Sequence, residues 1–562
     1  MSLFGTIQQS AGALQVNQIG LQVVGNNIAN ANTPGYIRQE LQQASSIAIR
    51  DGNLIKGLGV RPTGITQAVD KALAERLFSA NTDLVGGETL DKAFSQLEEL
   101  TTDLDNTGLS QQLSLFNNAF HELSSQPGDS SLRDFVVLQG DTLAQNIRRQ
   151  REEALARREL WNSDLDSIAE NINRLTKRIA RLNLEIATIE GGGLVGSDAT
   201  GLRDQRYRDL EELSGMININ IQEQTNGSMA VFVGGDYLIS NGNSRDVYTA
   251  YSTSNNGSEV RIIETDSPLQ VSSGQLASSL IARDEIFGEY VDNLDSVASS
   301  LIRAINEVHS QGQGRRGYSE LSSSNVADTG VPLVDAGLPW EPRNGTFDMS
   351  VVDEDGQIVS NHRIDVQVLG QVTDSTIQSI ADDINAIDGI SAIATSEGRV
   401  EITSDSATAQ FTFGEDTSGF LAAMGINVFY AGNDAIDIGL SPYLQENADY
   451  LAISSGGINE DTNVLTELVD IIDKPLPQLN DRSPRETYED SISTLSQRIS
   501  LQQSATEGLR SFHATLQGQH LAITGVNIDE EAIKMITYQR AFQASSRVIA
   551  TASEMLELLV NL

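Results

Sequence analysis

The sequence predicts a mainly α fold with inserted β-rich domains. Its N- and C-terminal helices pair as a coiled-coil-like terminal domain, a bundle of long helices forms a stem, and two β or α/β insertions interrupt it. Three observations lead there. Apolar residues at both ends of the chain step by three and four, the spacing of a helix with one buried seam. Longer stripes of the same kind fill much of the middle, and two stretches switch to the period of two that marks strands.

The first element lies within residues 1–37, which contain no Asp, Glu, Lys or Arg although charged residues make up 20% of the chain. Ile7, Leu14, Leu21 and Ile28 recur every seven residues, with Leu3, Ser10, Asn17 and Val24 between them. One coiled-coil seam is expected. Gly5, Gly12, Gly20 and Gly25 admit a neighbouring backbone but each lowers helix propensity by about 1 kcal/mol. The stretch NNIANANTPGY closes the helix, because the residue before Pro34 is forced off helical geometry; the end should fall near Asn30 to Asn32. Asn26, Asn27 and Asn30 carry amides that donate and accept at once. That suits contact between identical subunits without like-charge repulsion, so these three join the seam as candidate assembly residues.

Past residue 50, Gly57-Leu58-Gly59-Val60 with Pro62 and Gly64 predicts a short hairpin connection. Leu109, Leu113, Phe116, Phe120 and Leu123 make one amphipathic stripe, stopped by Pro127-Gly128. A longer stripe runs from Trp161 through Leu165, Ile168, Ile172, Leu175, Ile179, Leu182 and Ile186 to Ile189. Ile217, Ile219 and Ile221 then alternate with polar residues, Asn226-Gly227 reads as a hairpin turn, and Val231-Phe232-Val233 returns. Tyr290, Leu294, Val297, Leu301 and Val308 restore the helical period. In the second β-rich stretch Ile364, Val366 and Val368 alternate, Ile377, Ile380 and Ile384 mark one helix, and Glu397-Gly398 turns into Val400 and Ile402. Ser483-Pro484-Arg485-Glu486 has the form of a capping box opening another helix. The last helix carries Met535, Tyr538, Phe542, Ser545, Ile549, Ala552, Leu556 and Leu559 on one seam. Pairing the first helix with the last is the simplest way to bury both seams.

The resulting organisation assigns residues 1–50 and 525–562 to the terminal domain and 51–215, 274–335 and 435–524 to the helical stem. Residues 216–273 form a β-rich domain and 336–434 a variable α/β outer domain.

A balance of 37 Lys+Arg against 77 Asp+Glu gives a formal charge of −40, which repels nucleic-acid phosphates and anionic membranes. Nucleic-acid binding is not expected, and because no run approaches the ~18 apolar residues of a membrane span, neither is membrane insertion. Cysteine is absent, which removes disulfides and thiolate chemistry. No Lys or Arg precedes Arg38, so the basic region of a cleaved secretory leader is missing. The protein is expected in the cytosol, or outside the cell by a route that needs no such leader.

No catalytic, cofactor-binding or metal-binding residue stands out. The 5 histidines, His121, His309, His362, His513 and His520, show no ligand spacing. Gly191-Gly192-Gly193-Leu194-Val195-Gly196 matches a dinucleotide-binding pattern but follows a helix instead of a strand, so a helix end and loop is the better reading. Val352-Asp353-Glu354-Asp355-Gly356 lacks the twelve-residue calcium loop and reads as a turn. Asn226-Gly227, Asn256-Gly257 and Asn344-Gly345 fit glycosylation acceptors and equally well plain turns. A non-enzymatic, cofactor-free protein is expected.

NNIANANTPGY resembles the N-terminal signature of bacterial flagellar axial proteins, the rod, hook and hook-associated subunits. GVNIDEEAIKMITYQRAFQASSRVIATASEMLELLVNL resembles their closing helix. Leu202-Arg203-Asp204-Gln205-Arg206-Tyr207-Arg208-Asp209-Leu210, and Gly274-Gln275-Leu276 before a long helix, are similar to the hook-associated branch at the hook–filament junction. The resemblance covers residues 1–60, about 200–310 and 480–562, and is weak over 336–434.

It implies a structural subunit, exported unfolded through the flagellar type III apparatus, whose terminal helices build an inner tube. Ile7, Leu14, Leu21 and Ile28 would face Phe542, Ile549, Leu556 and Leu559. The implied partners are further copies of itself in a ring, the hook protein, a second hook–filament junction protein, and a cytosolic export chaperone on the C-terminal helix. A hook or distal-rod subunit would share both terminal motifs, and a secreted adhesin with ligand-holding β domains is the third reading.

Overall fold

The computed structural model describes residues 3–46, 49–51, 54–101, 108–190, 197–253, 257–406 and 408–560, without the side chains of 49–51, 54–56, 478, 559 and 560. Gly191 to Gly196 and Asn256, singled out above, lie outside the described residues. The chain divides into two compact units. One comprises Met1–Phe94, Glu159–Asp284 and Ser500–Leu562, the other Ser95–Arg158 and Glu285–Ile499.

In the first unit the helix Leu3–Ala29 pairs with the last helix, Ile528–Val560. An antiparallel hairpin follows, Gln39–Ser45 against Val60–Gln67, with a bulge opposite Gln42 and Gln43. Pro62 cannot donate to a ladder, and an irregular register on a two-stranded edge tolerates it. The core gathers Phe78 of the helix Lys71–Thr101, Leu165 to Ile179 of the helix Ser130–Glu190, and Leu210 and Leu213 of the helix Thr200–Met216. Val231, Leu238, Ile239, Val260 and Ile262 complete it from two small sheets. One sheet is a meander of four strands in chain order from Asn220–Glu223 to Asn243–Ser244. The turn predicted at Asn226-Gly227 joins its first two strands, with Gly227 at φ +81°.

The second unit is built on aromatic packing. Phe116 and Phe120 of the helix Leu109–Ser125 meet at 4.9 Å between centroids, Phe429 lies 5.5 Å from Phe116, and Phe429 and Tyr430 are 4.8 Å apart. Gly140 makes the room, since a Cβ there would stand 2.6 Å from the Phe429 ring. One sheet has Gly345–Val352 between Ile358–Val366 and Gln410–Gly414; the other has Val400–Ser404 between Glu320–Ser322 and Ile390–Ala394. The strand Glu320–Ser322 thus pairs into the outer sheet although it precedes residue 336. The helix Ile377–Asn385 buries Ile377, Ile380 and Ile384 as expected, and Gly398 turns at φ +88° between the strands that Glu397-Gly398 was predicted to join. Asn344-Gly345 does not form the plain turn: Gly345 opens a strand, and the Asn344 side-chain Oδ1 accepts from the Val368 amide.

The capping box forms as read: the Ser483 amide donates to the Glu486 carboxylate at 3.0 Å, and the Glu486 amide to the Ser483 hydroxyl at 3.1 Å. It opens the helix Pro484–Thr524. His309 is fully buried, with Nδ1 donating to the Asn427 carbonyl at 2.9 Å and Nε2 accepting from the Ala452 amide at 3.1 Å. Burial pushes its pKa down to about 4, so it serves the core as a neutral ring.

Candidate functional site

The features singled out by sequence converge where the first helix, the hairpin, the helix Thr200–Met216 and the last helix meet, all within the first unit. The last helix turns the expected seam inward. Ala552 is buried, and Met535, Tyr538, Phe542, Ser545, Ile549 and Leu556 are half-buried. Leu559 lies in the helix, but its side chain is outside the described residues. The opposite face is apolar too: Ile533, Ile536, Val548, Met555 and Leu558 are exposed.

The buried arc of the first helix takes in Ser10 and Val24 of its expected seam and is shifted away from the rest of it. Its buried residues are Ser10, Val16, Gly20, Val23, Val24 and Asn27, whereas Ile7, Leu14, Leu21 and Ile28 are only half-buried. The buried arc lies about one residue's turn, roughly 100°, from that line. The heptad reading assumed a single partner, and the helix has two. Gly20 admits the Tyr538 ring, which a Cβ would approach to 2.7 Å, while Gly12 faces the Val60 carbonyl of the hairpin at 2.8 Å from the same notional atom. Small residues and valines therefore occupy the contact, and the leucines and isoleucines flank it.

Asn27 is 1% exposed and spends its whole amide inside the chain. Nδ2 donates to the Gln39 carbonyl at 2.9 Å and to the Glu531 carboxylate at 3.0 Å, while Oδ1 accepts from the Gln39 amide at 2.9 Å and the Tyr36 hydroxyl at 2.8 Å. This corrects its expected role as a subunit contact: no donor or acceptor is left for a neighbour. Burial, with Asp204 and Glu531 nearby, pushes the Tyr36 hydroxyl up to about 12, which keeps it a donor. Asn30 is also used locally, donating to the Asn26 carbonyl at 2.9 Å and accepting from Thr33 at 3.3 Å. Asn26 alone presents an exposed side chain. The helix ends at Ala29, just ahead of the expected stop.

Beyond it, the Thr33-Pro34-Gly35 turn is locked from outside. Gly35 has φ +75°, and a Cβ would stand 2.5 Å from Cδ of Arg208, so both the backbone and the neighbour demand glycine. The Arg38 amide then donates to the Thr524 carbonyl at 2.8 Å, tying the chain to the end of the preceding helix.

Leu202 to Leu210 supplies the remaining chemistry. Arg203 donates to both oxygens of Glu190 at 2.8 and 2.7 Å and to Glu223 at 2.9 Å. Buried Arg206 reaches Asn183 at 2.8 Å and the Gly227 carbonyl at 2.7 Å, Asp209 pairs with Arg178, and Gln67 donates to Asp204. Burial pushes the Asp204 carboxyl up to about 6. These bonds join two helices, the hairpin and the first β-meander. Sequence reading found this stretch only through resemblance; its dense alternation of Arg and Asp was the available signal. Among the described residues no group of three His, Cys, Asp or Glu side chains could hold a metal, and no helix is long and apolar enough to cross a membrane.

Three family models match the chain. Residues 94–321 match the helical domain of flagellar hook-associated protein FlgK, residues 7–36 the flagella basal body rod protein, and residues 517–562 the C-terminal part of the basal body rod proteins FlgEFG. Flagellar hook-associated protein 1 of Salmonella typhimurium is 22% identical over 99% of both chains. The chain is similar over nearly its whole length to flagellar hook-associated protein 1. The Bacillus subtilis protein of that name is 26% identical over 56% of this chain and 69% of its own length. The fold is shared with the hook junction protein FlgK of Burkholderia pseudomallei, at a TM-score of 0.54 and 13% identity over 80% of this chain and all of that one.

Proposed function

We propose that this chain is a structural subunit of the bacterial flagellum that joins hook to filament and assembles through its terminal helices. The observation that carries this reading is the last helix, which spends one apolar face on the first helix and presents a second, formed by Ile533, Ile536, Val548, Met555 and Leu558, to its surroundings. A helix apolar on two faces needs a second partner. Neighbouring copies in a ring cover that face after assembly, and a cytosolic export chaperone covers it before. Hook protein on one side and a second junction protein on the other complete the contacts. The charge-free first helix and the absence of cysteine accord with export through the flagellar type III apparatus and assembly outside the cell. The assembly residues are the inward seams of both helices together with Asn26 and the outer face of the last helix.

Deletion of the gene tests the reading. Cells should carry hooks without filaments and be non-motile, with filament protein shed into the medium, and the wild-type chain supplied in trans should restore filaments. Filaments of normal length in the deletion strain would sink it.

A further inference from the structure

The Thr33-Pro34-Gly35 turn, the Arg208 side chain and the end of the helix Pro484–Thr524 enclose a cavity of 340 Å³. Its floor and walls include Leu77, Phe78, Tyr207, Leu521 and Val526. At the rim Arg208 lays its methylene stem on Gly35; its charge acts on the nearby Asp204 carboxyl, but it makes no hydrogen bond or ion pair among the described residues. Glu211 stands one turn further along the same helix. The site is a recess with an apolar floor, a partly polar wall that includes Gln517 and His520, and a guanidinium free of hydrogen bonds at its mouth, and it suits an apolar side chain with a carboxylate beside it.

The chain carries that element itself. Beyond Arg547 the last helix has no basic residue; Met555 and Leu558 are exposed at 52% and 67%, and Glu554 and Glu557 are exposed beside them without an ion pair among the described residues. Glu554 and Leu558 share a face at four-residue spacing. The same copy cannot fill its own recess. Val526 lines the cavity and the helix begins at Ile528, so Leu558 sits about 45 Å away along a helix rising 1.5 Å per residue.

We infer that the cavity behind the NTPGY turn receives the end of the last helix of a second copy, with Leu558 and Met555 seated in the recess and Glu554 on Arg208. The two surfaces differ, so the contact is head-to-tail and repeats along an assembly instead of closing a dimer. It rests on the assembly role proposed above and gives the turn signature a second duty, as a socket in addition to a helix stop.

The chain has no cysteine of its own, so paired cysteines report cleanly. Full-length Gln517→Cys/Glu557→Cys, concentrated and oxidised, should give a ladder of linked oligomers that neither single variant gives. Adding Arg208→Glu should weaken the ladder about tenfold, and adding Glu554→Arg to that should restore it. Arg208→Gln gives a second reading at lower risk to folding, with circular dichroism confirming the fold of each variant. No ladder from the folded pair, or no rescue by the charge swap, overturns the inference; so does a link formed in isolated flagella only to a hook or filament neighbour. Restoration of filaments by the wild-type chain tests the junction role separately, so that role can stand while the socket falls.

Discussion

Asn27 shows how one amide can fasten three elements. Its donors and acceptors are divided among the first strand, the turn and the last helix, and Ala there would leave Gln39, Tyr36 and Glu531 with unpaired groups. Asn27→Ala should lower stability by about 2–4 kcal/mol in chemical denaturation. Asn27→Asp should be at least as harmful at neutral pH, because it loses both donors and faces Glu531, and should recover as pH falls and the new carboxylate is protonated. At Gly20 the limit is space: Gly20→Val, driven against the Tyr538 ring, should destabilise the helix pair by about 1–3 kcal/mol. His309 sets a pH dependence of opposite sign to Asp204. With its pKa depressed to about 4, His309 contributes stability that is full above about pH 6.5 and lost as pH falls toward 4, on the order of 3 kcal/mol in all. Thermal melts of wild type and His309→Gln should converge between pH 7 and 5. Asp204, raised to about 6, contributes stability that is full below its unfolded pKa and lost as pH rises through 6.

The two terminal helices are legible in the sequence to different degrees. The seam of the last helix was readable because it has one intramolecular partner and a regular three-and-four spacing, so Phe542, Ile549 and Ala552 turn inward as expected. In the first helix only Ser10 and Val24 of the expected seam are buried, because its second partner, the hairpin, leaves no trace in its own periodicity. A contrast of variants separates the faces of the last helix. Phe542→Ala should destabilise the monomer by about 1–3 kcal/mol, whereas Ile533→Asp, on a side chain 66% exposed, should change monomer stability by less than about 0.5 kcal/mol yet block filament restoration. Normal filaments from folded Ile533→Asp would remove the outer face from the assembly surface.

For the molecule as a whole, the first and last helices are held to the rest by few buried aliphatics, and the first is glycine-rich. Limited proteolysis of the dilute monomer should therefore trim the chain ends before it cuts the aromatic core of the second unit; equal resistance of both would contradict that order.

Periodicity and composition by themselves determined the mainly α class, the paired end helices, the hairpin turns at Asn226-Gly227 and Glu397-Gly398, and the capping box at Ser483. Each is a local matter of which residues share a face or suit a dihedral angle. Tertiary structure alone decided which face of the first helix is buried, that Asn27 is consumed within the chain, and that Gly35 lies under Arg208. Those depend on residues far away in sequence arriving at one place, and a linear pattern records a residue's own preferences, not its partner's position.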